Sequence, residues 1–193
     1  VKAANCIKEL VDMGAFIDGA TGLSNDEASA SFYAEQVPMY FTGSWMGGSI
    51  VTDAEKPDNF AVAPIPVVNS KNASVTDFMG GGSDTLMVSA NTKNKDLAAA
   101  AAFEITRGVS KHAYLSGAGI PAWTVDYDAS SVPALTQQVA DIAGKASSYT
   151  LWFDTLMSSD DAGEYLTLLQ SLFAGDLKPE EFAASMDKQL SKK

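Results

Sequence analysis

Met39-Tyr-Phe-Thr-Gly-Ser-Trp-Met-Gly-Gly48 is the stretch from which the architecture follows. Four β-prone residues, Met39 to Thr42, break at Gly43, and Ser44 is then placed to cap a helix carrying Trp45 in its first turn. A strand that stops into a capped helix sets the first-turn side chain at the rim of a sheet, where open α/β folds form their ligand crevices. An indole there either plugs the sheet edge, as most tryptophans are largely buried, or covers a bound molecule.

Upstream, Ala3, Cys6, Ile7, Leu10 and Met13 recur at helical spacing over residues 2–13, with Gly14 as the stop. Ser24 and Glu27 form a capping-box pair that opens a second helix through Tyr33. Pro38 stands at the mouth of the β run, where a missing N–H is tolerable. Downstream, Phe60 to Val68 is extended and punctuated by Pro64 and Pro66, which bar it from mid-sheet. Thr85-Leu-Met-Val-Ser89 is apolar enough for a strand buried on both faces. A helix is expected from Leu97 to Arg107, ended by Gly108, and a shorter one from a Ser110 cap through Leu115. Further helices are expected from Pro133 to Gly144, from Ser159 to Gly175 and from Pro179 onward. Helices separated by a few short strands make an α/β pattern, helix-rich and short of strands.

The chain has 193 residues, enough for one domain or two small ones, and its 46% hydrophobic and 19% charged residues are those of an ordinary globular protein. A net charge of −11 argues against nucleic acid and against an anionic membrane surface as partners. Cys6 is the only cysteine, so neither an intrachain disulfide nor a cysteine-based zinc cluster is available; a small core position in the first helix is expected for it. No basic-then-apolar signal segment opens the sequence.

His112 is the only histidine and sits mid-helix with no Gly-x-Ser-x-Gly elbow in the chain, so a hydrolytic triad is not expected and a solvent-facing histidine is. Neither a histidine pair nor a calcium-type loop is present, and no metal or cofactor is expected. Asp77, Asp84, Asp126, Asp128 and Asp154 fall near loops or element ends, the raw material for a glycosidase pair, although an acidic chain holds such residues by chance. Gly80-Gly-Gly82 lacks the Lys-Ser/Thr of a phosphate loop and reads either as a flexible joint or as a close approach of backbone N–H groups to a ligand. The remaining signal is aromatic: Trp45, Trp123 and Trp152-Phe153, with Tyr40 and Tyr127 nearby. Pyranose C–H faces lie well on indole planes, and a mostly apolar cleft with a few polar groups is the usual small-molecule site.

Three stretches carry a family resemblance. Phe32 to Trp45 resembles the segment leading into Gly-Ser/Pro-Trp in extracellular solute-binding proteins of sugar ABC transporters, the maltose-binding-protein-like family. Gly81 to Ala98 is similar to that family's crossover strand and the helix after it. Gly119-Ile-Pro121, then Ser148-Tyr-Thr-Leu-Trp152, then Gly175 to Phe182 are similar to its C-terminal end. The sequence departs at Glu35-Gln-Val-Pro38, where the family pattern carries Gly-Lys-Ala-Ala.

The resemblance implies a periplasmic-binding-protein-like fold, mostly its C-terminal lobe, with residues 1–80 and 123–193 in that lobe and 81–122 a crossover segment of the other. It implies strands and a secretory or lipoprotein signal upstream of Val1, an extracytoplasmic location, and exposed apolar surface over residues 84–118 that a second copy would cover. It also implies a non-enzymatic protein that captures a mono- or oligosaccharide between lobes and delivers it to a membrane permease. By family position Trp45 and Trp152 resemble sugar-stacking residues, Gly81, Gly82, Ser83 and Asp84 resemble hinge-side polar contacts, and Trp123 is a further candidate. A secreted carbohydrate hydrolase using two loop carboxylates, and the same fold with a non-sugar cargo, are the alternatives.

Overall fold

The computed structural model describes residues 1–81 and 84–191. It holds seven α-helices and one two-stranded sheet among them. The chain divides into two compact units: a terminal unit from Val1–Phe32 and Leu151–Lys193, and a central unit from Tyr33–Thr150.

The terminal unit is built on α1 (Lys2–Asp12), α6 (Ser159–Ala174) and α7 (Pro179–Leu190), each packed on the other two. Because α1 meets both partners at once, its inward face is Ala4, Ile7 and Val11, one residue around from the expected set, and Cys6 is exposed rather than in the core. Helix α6 starts where Ser158 Oγ accepts the Asp161 N–H at 3.2 Å, and it stops at Gly175 in the left-handed region. Its Leu172 is almost wholly buried, with Leu168, Leu169 and Phe173 beside it half-buried. On α7 Met186 is buried. Gln189 takes the next inward place, donating its Nε2–H to the Asp161 carbonyl at 2.6 Å, while Leu190 is exposed.

Helix α2 (Asn25–Tyr33) opens with the expected box: Ser24 N–H donates to Glu27 Oε2 at 2.8 Å and Glu27 N–H to Ser24 Oγ at 3.3 Å. Ser24 Oγ also donates to Glu27 Oε2 at 2.7 Å, and this bond, then the one from Ser24 N–H, holds the Glu27 carboxyl below the ordinary glutamate range. After it, Glu35 adopts φ 57°, the left-handed region, at the position where the family pattern carries glycine. Its Oε1 accepts the Asn59 side-chain amide at 2.9 Å.

In the central unit, β1 (Asp77–Met79) and β2 (Ser148–Thr150) pair in parallel with Asp77 opposite Ser148, Phe78 opposite Tyr149 and Met79 opposite Thr150. The connection between them carries α4 (Lys95–Ser116) and α5 (Ala134–Ala143). Helix α3 (Met46–Asp53) packs on α5, and the core of the unit is Met46, Ile50, Ala54, Val132, Leu135 and Thr136.

Three expectations are corrected. Met39 to Thr42 forms no strand, and Met39 and Phe41 are exposed. Thr85 to Ser89 forms no strand: the sheet among the described residues is β1 with β2 alone, and Met87 is 90% exposed. Helix α4 runs unbroken through Gly108, because one glycine costs about 1 kcal/mol and the alanine-rich turns before it outweigh that. His112 faces solvent, as expected. None of the 22 residues of α4 is buried.

Candidate functional site

Trp45 is placed by its backbone. Gly43 to Met46 forms a turn in which Met46 N–H donates to the Gly43 carbonyl at 3.3 Å. Trp45 is itself the N-cap of α3, which starts one residue later than expected, and no side chain caps it. The indole folds back over Gly43, where a Cβ would lie 2.1 Å from Trp45 Cζ3, so no side chain fits there without moving the ring. The first turn of α3 is then fixed by two glycines. A Cβ on Gly47 would meet Thr136 Oγ1 at 2.2 Å, and one on Gly48 would meet the Ser116 carbonyl at 2.4 Å. Gly48 N–H donates to the Gly117 carbonyl at 2.9 Å, so the closing turn of α4 satisfies an orphan donor that no side chain caps. This junction was not anticipated from the sequence; its signal is the paired glycine directly after Trp45.

The glycine-rich candidates follow β1. Gly80 N–H extends the parallel ladder to the Thr150 carbonyl at 3.0 Å. Gly81, at φ 86°, passes over Tyr149, whose Cβ lies 3.0 Å from where a Gly81 Cβ would be. Gly82 and Ser83 lie outside the described residues, and Asp84 is exposed. At the other end of the strand pair, Asp77 gathers three donors: Ser74 N–H at 2.6 Å, Ser148 Oγ at 2.7 Å and Ser147 Oγ at 3.0 Å. The backbone bond from Ser74, then the two hydroxyls, hold its carboxyl below the ordinary aspartate value of 3.8.

Trp123 belongs to a strap, residues 122–127, laid along one side of α4. Its ring meets Phe103 edge-on with centroids 4.9 Å apart. Ala122 N–H donates to Ser110 Oγ at 3.0 Å, Arg107 pairs with Asp126, and the Lys111 ammonium lies 4.8 Å over the Tyr127 ring. Burial, then Tyr114 and Asp126, hold the Tyr127 hydroxyl above the ordinary tyrosine value. Strap and helix enclose a hollow of about 200 Å³. Its helix side is readable as a stripe at i, i+3 and i+4 (Arg107, Ser110, Lys111); what the stripe meets is not.

Trp152 lies in the terminal unit, at the N-cap of the 3₁₀ turn Phe153–Leu156, where its carbonyl accepts Thr155 Oγ1 at 2.6 Å. Behind it, Phe153 meets Tyr165 edge-on at 5.6 Å and Tyr165 reaches Phe182 at 6.5 Å. Trp45, Trp123 and Trp152 are 51%, 38% and 40% exposed, so none is sealed into a core. Within the central unit no ring contact joins Trp45 to Trp123 among the described residues. Those residues hold no cluster able to bind a metal and no helix long and apolar enough to cross a membrane.

The sequence pattern of the family described as bacterial extracellular solute-binding protein matches residues 4–103. A structure from work titled "Biochemical and structural insights into xylan utilization" by the thermophilic bacterium Caldanaerobius polysaccharolyticus superimposes with a TM-score of 0.89 at 33% identity, over 97% of this chain and 49% of that one. A chitin oligosaccharide binding protein superimposes with a TM-score of 0.82 at 22% identity, over 98% of this chain and 48% of that one; at that identity it speaks for the fold alone. The chain thus spans about half the length of these structures and reproduces a helix-rich part of a periplasmic-binding-protein-like fold. No curated protein matches it.

Proposed function

This chain belongs to the bacterial extracellular solute-binding proteins, and from that premise we propose that it serves an ABC importer, capturing a carbohydrate outside the cytoplasm for a membrane permease without converting it. The observation that carries the reading is the exposure of all three indoles, 51%, 38% and 40%, in a residue type that is on average highly buried. The Trp45 ring lies over Gly43 at the start of a helix pinned by the Gly48–Gly117 bond, and the chain next to Trp152 is fixed by the Phe153–Tyr165 ring contact, so both indoles leave anchored backbone. Ordering them before the ligand arrives removes much of the entropy cost of binding. In this reading Trp45 and Trp152 stack on sugar faces, while Gly81, Gly82, Ser83 and Asp84 offer polar contacts. The similarity to a structure from a study of xylan utilization supports a plant-polysaccharide fragment as cargo.

Residues 81–122 are assigned to the other lobe of the whole protein. That reading is supported by α4, none of whose residues is buried and whose Leu97, Ile105 and Val109 are exposed. A second copy covering the same surface is the alternative arrangement.

The test is a titration of intrinsic tryptophan fluorescence with xylo-oligosaccharides and chito-oligosaccharides, using a chain extended to the full length of its structural relatives. Trp45→Ala and Trp152→Ala are each expected to weaken binding about tenfold or more, since a stacked aromatic anchor is worth more than about 1.4 kcal/mol. Unchanged affinity in both variants would remove the stacking role. Silence toward every sugar would remove the carbohydrate.

A further inference from the structure

We propose that the hollow between α4 and the strap is a separate subsite for a single pyranose bearing a carboxylate, a uronic acid unit. The proposal rests on the carbohydrate reading only for the choice of a sugar ring; the preference for an anion comes from the hollow itself.

Its size, about 200 Å³, is below the roughly 300–1,000 Å³ of sites for drug-sized ligands and suits one ring. Trp123 supplies a partly exposed aromatic wall, with Tyr127 beside it. The polar groups are unbalanced toward donors. Arg107 carries five N–H groups and bonds Asp126 through one nitrogen, and the Lys111 ammonium has three. Ser110 Oγ accepts the Ala122 N–H, which leaves its own O–H to donate inward. Asp126 is the single carboxylate on the wall, against two cations. In a chain of net charge −11, a hollow with one positive charge in excess is a local inversion of the field. A neutral sugar draws nothing from that excess. A carboxylate does, through charge-assisted bonds from the Arg107 fork and Lys111, while the ring's C–H face lies on the indole.

The Arg107–Asp126 pair and the edge-on Phe103–Trp123 contact fix these groups before any ligand arrives. Lys111 is exposed, so replacing it leaves the packing of α4 intact.

The experiment is calorimetric titration of the chain with D-glucuronate and with D-glucose, at low and at raised sodium chloride, on the wild type, Lys111→Gln and Lys111→Arg. Far-UV circular dichroism checks each fold. D-glucuronate is expected to bind at least tenfold more tightly than D-glucose and to weaken with salt. Lys111→Gln is expected to weaken D-glucuronate about tenfold, and Lys111→Arg to restore it. Equal affinities for the two sugars, no heat with either, or wild-type glucuronate binding by Lys111→Gln would each overturn the proposal. Neutral xylo-oligosaccharides titrated against the chain extended to the full length of its structural relatives report on the capture reading alone, so that reading and the anionic subsite fail separately.

Discussion

Gly117 and Gly175 offer a matched pair for separating backbone strain from close packing. Each follows a helix, α4 and α6, and each sits in the left-handed region at nearly the same angle, φ 81° and φ 82°. An alanine at either place costs about 1–2 kcal/mol in conformational strain. They differ in surroundings. A Cβ on Gly175 meets nothing within 4 Å, whereas one on Gly117 lies 2.7 Å from Gly48 N and 2.8 Å from Gly48 Cα. Those are backbone atoms of α3, which cannot swing aside as a side chain would, so the helix must shift and loosen its contact with Thr136. Overpacking of that kind adds about 1–3 kcal/mol. Gly117→Ala is therefore expected to cost about 2–5 kcal/mol and Gly175→Ala about 1–2 kcal/mol. Gly48→Ala, aimed at the Ser116 carbonyl, should show the packing cost without the strain. Urea unfolding followed by fluorescence and circular dichroism measures all three. Equal losses for Gly117→Ala and Gly175→Ala would refute the claim that α3 and the end of α4 touch backbone to backbone.

Gly108→Ala, in open space within α4, should raise stability by about 0.5–1 kcal/mol in thermal unfolding; a loss would mean that the site is not an unstrained helix interior. Glu35→Gly should gain about 1 kcal/mol by relieving the left-handed strain, less whatever the Asn59 hydrogen bond contributes, and Asn59→Ala measures that share. Asp77 has its carboxyl depressed in the folded chain, so the stability it lends is complete above pH 3.8 and is lost as pH falls through its lower folded value. Asp77→Asn should flatten that part of the acid unfolding curve, and an unchanged curve would contradict the three-donor cradle.

Helix boundaries were readable wherever a local device sets them. The Ser24–Glu27 box, Pro179 at the start of α7 and the stop at Gly175 act within one turn of chain, and all lie where the pattern places them. What needed distant partners was not readable. Thr85 to Ser89 has a strand's composition, but a strand exists only by pairing, and the residues that pair here are Asp77 to Met79 with Ser148 to Thr150. Cys6 was misplaced because a helix touching two others picks its inward face from both contacts at once. Of the candidate site, the indoles could be named from residue type and position, yet the Gly48–Gly117 junction that sets Trp45 joins residues far apart in sequence, and neither glycine announces the other.

The terminal unit draws α1 from one stretch of the chain and its packing partners α6 and α7 from another, with the whole central unit threaded between. On a ribosome, α1 emerges before α6 and α7 and stays without those partners while the intervening residues are made, roughly 10–30 s at the usual 5–20 residues per second. During that interval the Ala4, Ile7 and Val11 side of α1 is open to whatever binds nascent apolar segments. Synthesis therefore orders assembly: the central unit has all its residues first, and the terminal unit closes only after α7 has cleared the exit tunnel.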